Sequence, residues 1–271
     1  MLPSVLPDLE TDRKQVEQHL EQLLTRRGDE SSAVLEAMRY SVLGGGQRLR
    51  PLLAFRVARM LDAEYPEVLQ TASAVELLHC ASLIVDDLPC MDNSAVRRRR
   101  PCTHVAFGEA TAVLAAFALV ALAARCLLET GASGWKRERL LEFQARLLQT
   151  LDCSSLIAGQ DLDLRLKGHA RDVARSHISD LKTVPLFQLA VAAGAVFADL
   201  ESGAWQRLKM LGREFGLSYQ MTDDYLDGEG ENPAAVRFQL ERTRECVRFF
   251  GPGAKALEDL LDYLHDKAFR A

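Results

Sequence analysis

Apolar residues along this chain recur at intervals of three and four far more often than they alternate, the spacing of helices rather than strands. Ala, Leu, Glu, Arg and Gln fill most segments between turn signals, and strand-like Val/Ile/Thr alternation is scarce. The pattern predicts helices near 8–27, 31–43, 50–63, 66–88, 107–129, 136–165, 172–198, 201–228, 234–249 and 253–269. Breaks fall at "VLGGGQRLRP" (42–51), "TGASGW" (130–135) and "LKGHA" (166–170). The 107–129 segment is apolar nearly all round, and 66–88 is similar. Such helices belong at the centre of a bundle, with the amphipathic ones layered about them. No repeat, low-complexity tract or linker interrupts the series. The expectation is an all-α fold, one domain over residues 1–271, built from about ten helices.

Composition and charge narrow the function. The chain has 271 residues and a formal net charge of −5, which argues against nucleic acid as a partner, since domains that bind it are usually basic. Arg97–Arg100 therefore reads as a local anion site or a solvated patch. The six cysteines form no C-x-x-C pair. They read as the reduced thiols of a cytoplasmic protein. The N-terminus shows no signal-peptide pattern. The longest apolar run, 112–124, is too short to span a bilayer, so no transmembrane segment is expected.

Two acidic clusters each close an apolar helix. "IVDDLPCMD" carries Asp86, Asp87 and Asp92, with Pro89 ending the helix. "YQMTDDYLD" carries Asp223 and Asp227 at i, i+4 on one face, with Gln220 on the same side and Asp224 one position round. Crowded carboxylates repel unless a cation neutralises them. Hard oxygen ligands in twos and threes suit Mg²⁺, with waters and substrate phosphates completing its octahedron. Either cluster alone reads as well as a solvated helix end; two in one chain are much harder to dismiss. Arg97 and Arg98 follow the first cluster closely, and guanidiniums favour phosphate oxygens. Carboxylates for Mg²⁺ and arginines for phosphate point to a diphosphate substrate.

At this point the chain resembles the trans-isoprenyl diphosphate synthases, of the farnesyl and geranylgeranyl type, over about residues 30–230. "GGQRLRP" stands for the family's GGKRLRP and "ELLHCASLIVDDLPCMD" for its first aspartate-rich motif. "RRRRPCTHVAFGEATAVLA", "GQDLDL", "KT" and "FGLSYQMTDDYLD" follow in the family's order. The resemblance implies a helical bundle around a central cavity and a homodimer. It implies condensation of isopentenyl diphosphate with an allylic diphosphate to a fifteen- or twenty-carbon product, with three Mg²⁺ ions. Asp86 and Asp92 resemble ligands of two Mg²⁺, and Asp223 that of the third, supported by Asp227. Arg97 and Lys182 resemble contacts to the allylic diphosphate, with Thr183 and Gln220 lining the same site. Arg50, His79 and Arg98 resemble contacts to isopentenyl diphosphate, with Gln47 at the same place. Ala81 stands where a bulky aromatic would stop chain growth. With Ser82 also small, growth is expected to continue to a deeper side chain, Phe117 being the largest candidate, and a twenty-carbon product is favoured.

The pattern is broken in four places. Gln47 replaces a lysine. Asn93, Ser94 and Ala95 replace a usually acidic run, and "AAFALV" (115–120) lacks an aspartate. After Asp227 the family continues into a lysine-bearing loop, whereas here no lysine occurs from 228 to 254. These losses leave a second reading: a weakly active or inactive member serving as a ligand-binding or regulatory partner subunit. A terpene cyclase also uses DDxxD, but has no reason to keep "GGQRLRP" and His79.

Overall fold

A computed structural model describes residues 7–25, 32–63, 65–166, 169–228 and 232–269. The chain begins with α1 (Pro7–Thr25), α2 (Ala33–Leu43), α3 (Leu49–Met60) and α4 (Val68–Asp86). Ser32 caps α2, its side chain accepting a bond from the Leu35 amide at 3.1 Å. A two-stranded hairpin follows, β1 (Val96–Arg97) and β2 (Arg100–Pro101), then the short α5 (Thr103–Phe107) and the long α6 (Glu109–Leu128). The second half is α7 (Gly134–Gln149), α8 (Leu156–Arg165), α9 (His169–Lys182), α10 (Val184–Ala195), α11 (Ser202–Leu226), α12 (Pro233–Arg248) and α13 (Lys255–Phe269), with a 3₁₀ turn at Gly251–Ala254.

The buried apolar residues form one cluster to which nearly every helix contributes. α4 and α10 lie at its middle. α4 packs against α1, α2, α3, α6, α7 and α10, and all but two residues of α10 are buried. α3 and α10 cross closely because Gly194 has no side chain; a Cβ there would collide with the Ala54 carbonyl oxygen.

Three expectations need correction. The predicted 136–165 helix is two, α7 and α8. The stretch between them is rich in Thr150, Asp152, Ser154 and Ser155, short polar side chains that compete with the helical ladder. The predicted 172–198 helix breaks at Thr183, because Pro185 lacks the amide that would donate to Leu181. The third concerns α6, which was expected to be wholly central. It packs on α4, but Leu114, Phe117 and Leu128 face outward and are exposed. α4 and α6 are also long and apolar enough to cross a membrane by length and composition alone, which the 13-residue run did not reveal. α4 spends most of that surface against its neighbours.

Candidate functional site

The first aspartate cluster sits at the C-terminus of α4. Asp86 is its last residue and Asp87 its cap. A helix C-terminus carries partial negative charge, so carboxylates there are disfavoured unless a cation compensates. The loop folds back, the Asp92 amide donating to the Asp86 carbonyl at 2.9 Å, which stacks the exposed Asp92 above Asp86. Asp86 is not at an open mouth, as its position at a helix end would imply: its side chain is only 15% exposed. Burial pushes its carboxyl up to about 6; Lys182 opposes that shift, and Asp92 adds to it. Asp87 is more deeply buried and takes no part as a free ligand, because Arg97 claims it. Arg97 donates from Nε at 2.9 and 3.0 Å and from Nη2 at 2.6 Å.

The arginine run is a hairpin turn. Arg98 and Arg99 sit between β1 and β2 with φ of 52° and 62°, a left-handed pair that turns of this kind normally give to Asn-Gly. The turn deals the four guanidiniums to different tasks. Arg97 goes to Asp87. Arg98 donates from Nη1 to the Gly45 carbonyl, and its guanidinium fills the space a Cβ would take at Gly46. Arg100 lies 4.0 Å over the Tyr40 ring, and Arg99 is exposed. Arg97 and Arg98 are therefore held by protein groups, and Arg100 packs on Tyr40.

A second basic group gathers under the glycine loop. Arg50, buried at the start of α3, stands 3.2 Å from Nε2 of His79 on α4 and lies 4.6 Å over the Phe187 ring. Burial, then the charges of Arg50 and Arg98, push His79 well below its usual value, so the ring is neutral. Gln47 Oε1, Arg50 Nε and His79 Nδ1 are all buried without a hydrogen-bond partner. On the contacting pair Arg50 and His79 these atoms leave hydrogen-bonding capacity that the oxygens of a polar ligand could take.

Lys182 connects the two halves of the site. From the end of α9 its Nζ reaches Asp163 of α8 at 3.1 Å and Asp86 of α4 at 3.7 Å. The next residue, Thr183, donates to Gln220 on α11 at 2.7 Å, and Gln220 donates to Asp224 at 2.7 Å. A cavity of about 170 Å³ is lined by Asp163, Arg175, Lys182, Thr183, Gln220 and Asp224. The C-termini of α4 and α11 are thus brought to one place. Asp223, one third exposed, is held by Lys267 of α13 at 2.7 Å and by the Tyr219 hydroxyl. Asp227 caps α11 one turn further on, at the exposed end.

The structure brings Asp86, Asp92, Lys182, Thr183 and Gln220 together, and Arg50, His79 and Arg98 near one another, while Gln47 follows the glycine loop that Arg98 holds. It does not bring Phe117 inside: that ring is 71% exposed on the outer face of α6, so it cannot close a pocket within the protomer. Ala81 is buried on α4, and the Ser82 hydroxyl is spent on the His79 carbonyl at 2.8 Å. Sequence reasoning missed Asp163, Arg175, Tyr219 and Lys267. Asp163 had a signal in "GQDLDL"; Lys267, 44 residues past Asp223, had none.

The residues fit Mg²⁺ shared with a substrate. Among the described residues no three His, Cys, Asp or Glu side chains form a site able to hold a metal by themselves. Pairs of carboxylates crowded at helix C-termini still call for cations. Ions held through one or two carboxylates, with phosphate oxygens and waters supplying the rest, meet both conditions. Asp86 and Asp92 would hold ions on one side and Asp223 on the other.

A sequence model of the polyprenyl synthetase family matches residues 31–235. A putative geranylgeranyl pyrophosphate synthase 8 of Arabidopsis thaliana is 35% identical over 88% of this chain and 71% of that protein. A chloroplastic geranylgeranyl pyrophosphate synthase of Catharanthus roseus is 37% identical over 71% of this chain and 54% of that protein. Among solved structures, a geranyltransferase from Legionella pneumophila superimposes with a TM-score of 0.87 at 29% identity, covering 96% of each chain. An FPP/GFPP synthase from Zymomonas mobilis gives 0.84 at 29% identity, covering 94% of this chain and 98% of that one.

Proposed function

The chain belongs to the polyprenyl synthetase family and is a prenyltransferase of the short-chain kind, and from that premise we propose that it joins isopentenyl diphosphate to an allylic diphosphate. The observation that carries this is Lys182. One ammonium reaches the half-buried Asp86 and lines the cavity of Gln220 and Asp224, so a cation already stands where an allylic diphosphate would lie between the aspartate clusters.

Mg²⁺ bound at Asp86, Asp92 and Asp223 would neutralise the diphosphate and favour its departure, three ions being the number expected. The protein's own groups do the rest. Lys182 and the edge of Arg97 left free by Asp87 bind the diphosphate, while Thr183 and Gln220 fix the α9–α10 junction against α11. The allylic C–O bond breaks with its electron pair leaving on the diphosphate. Arg50, neutral His79 and Arg98 hold the second diphosphate so that its double bond faces the cation. The new C–C bond forms, and the proton released passes to an oxygen of the departed diphosphate. The apolar faces of α4 and α6 keep water from the cation.

Product length follows from the same pair of helices. Ala81 leaves the α4 wall open. With Phe117 outside, the buried side of α6 offers Ala112, Ala115 and Ala116 before the larger Leu119. This supports a twenty-carbon product, with Leu119 in the place first given to Phe117. The outward stripe of Leu114, Phe117 and Leu128 supports a homodimer formed through α6. The six free cysteines agree with a reducing compartment such as the cytoplasm.

Purified protein incubated with isopentenyl diphosphate, dimethylallyl or geranyl diphosphate and Mg²⁺ should yield a longer prenyl diphosphate, and chelation should stop it. No product at high enzyme concentration would overturn catalysis. It would favour the partner-subunit reading, which Gln47, with its buried and unpartnered amide oxygen, supports.

A further inference from the structure

α13 is amphipathic. Leu257, Leu260, Leu261, Leu264 and Ala268 are buried, and the helix docks on α3, α11 and α12. Docking there delivers its last turn to the end of α11. Lys267 Nζ lies 2.7 Å from Asp223 Oδ1 and 5.5 Å from the centre of the Tyr219 ring. The guanidinium carbon of Arg50 lies 5.7 Å from the same ring centre. Lys267 is only 18% exposed. One ammonium therefore stands on Asp223, next in sequence to the cavity-lining Asp224, and it shares the Tyr219 ring with Arg50 of the basic group assigned to the second diphosphate. The chain meanwhile offers no lysine from 228 to 254.

We propose that Lys267 is a diphosphate-binding residue of this chain, supplied by the C-terminal helix, and that it acts as the counter-ion of Asp223 until substrate arrives. This rests on the reading above, in which Asp223 faces a metal-bound diphosphate. The physical argument is one of exclusion. A Mg²⁺–oxygen bond is about 2.0–2.1 Å, so a divalent ion on Asp223 would press against an ammonium already bonded to the same carboxylate. Like charges that close do not share a ligand unless more anion is added. The metal brings that anion with it as diphosphate. The flexible four-carbon stem of Lys267 lets the ammonium turn from the carboxylate to the phosphate oxygens without moving α13. The charge is thus kept in place in the empty site, then handed to the substrate.

The experiment is calorimetric titration of inorganic diphosphate into the full chain in saturating Mg²⁺, with a parallel titration of Mn²⁺ alone. Wild type, Lys267→Met, Lys267→Gln and Lys267→Arg are compared, each with its melting temperature. Loss of one charge-assisted contact should weaken diphosphate binding roughly 10- to 100-fold in Lys267→Met and Lys267→Gln, while Lys267→Arg stays near wild type. Mn²⁺ alone should bind more tightly to Lys267→Met, because its competitor is gone. Lys267→Gln keeps a polar donor and removes the charge, so a loss of diphosphate affinity in it at an unchanged melting temperature reports charge rather than docking of α13. Equal diphosphate affinity in wild type and both neutral variants overturns the inference and leaves the proposed function standing. Equal losses in Lys267→Met and Lys267→Arg that follow a lowered melting temperature also overturn it, as a docking effect. A wild-type protein that takes up no diphosphate in Mg²⁺ overturns both.

Discussion

Asp86 and His79 show how one α4 residue differs from another seven positions away. Asp86 ends the helix under Lys182 and Asp92; His79 lies deeper, against Arg50. Asp86→Ala should lower turnover by ~10²–10³-fold or more, the scale at which one electrostatic contact to a developing charge is felt. Circular dichroism should stay native, and a rate near wild type would show that the carboxylate binds no metal. His79 makes a prediction about pH. Its folded value lies well below about 6.5, the ordinary one. As pH falls through that range the unfolded chain takes a proton that the folded chain refuses. The stability His79 contributes is therefore present above pH ~6.5 and lost on acidification. Between pH 7.5 and 5.5 the metal-free wild type should lose more melting temperature than His79→Gln; equal losses would mean the ring is not held neutral. Gln47→Lys belongs at this scale too. A lysine beside Arg50 should lower the KM for isopentenyl diphosphate several-fold and leave that for the allylic substrate alone. An unchanged KM would show the site is completed by another group.

At the scale of elements, polar ties between helices hold the bundle around the site. The α11–α12 contact is one. Glu214, buried, accepts from Gln239 at 2.7 Å, from Arg242 at 3.1 Å and from Arg213 at 3.4 Å. Thr243 donates to the Glu214 carbonyl and shares a bond with Ser218. Glu214→Ala strands a buried amide and two arginine contacts, and should cost ~2–4 kcal/mol in urea unfolding; the arginines are partly exposed, which keeps the figure below that of a sealed pair. A cost under ~1 kcal/mol would mean water replaces the carboxylate freely. The periodic apolar pattern gave the ends of the long helices to within about three residues and missed the short α5. It failed where a helix breaks without a glycine, at Thr150–Ser155 and at Thr183, because short polar side chains and a proline at the second helical position leave the apolar period intact. The β1–β2 hairpin was illegible too: four arginines carry no turn chemistry, and the geometry is held by contacts distant in sequence, of Arg97 with Asp87, Arg98 with the glycine loop and Arg100 with Tyr40.

For the whole molecule the open question is the outer face of α6. A stripe of Leu114, Phe117 and Leu128 facing water is costly for an isolated protomer. Phe117→Arg should convert a dimer to monomers in sedimentation at micromolar concentration; a wild-type monomer would refute the α6 interface. Product length tests the inner face of the same helix. Ala81→Phe should shift the product from twenty carbons to fifteen or ten by chromatography, whereas Phe117→Ala, acting from outside, should not lengthen it through the protomer's own pocket. If Ala81→Phe leaves the product unmoved, Ala81 does not line the chain path.

The sequence by itself determined that this is a helical bundle with two aspartate-bearing helix ends and an arginine run, because helical period, proline placement and charge crowding are local properties of the chain. It also carried the motifs of the family, and with them Asp86, Asp92, Asp223, Lys182 and the Arg50–His79 group. What only tertiary structure decided is which protein group each charge rests against. Arg97 belongs to Asp87, Arg98 to the glycine loop and Arg100 to Tyr40. Phe117 faces out, since an all-apolar helix gives no sign of which side its neighbours cover. Lys267 reaches Asp223 across 44 residues of chain through the docking of α13. Pairing of that kind is set by how helices pack, and no local spacing encodes it.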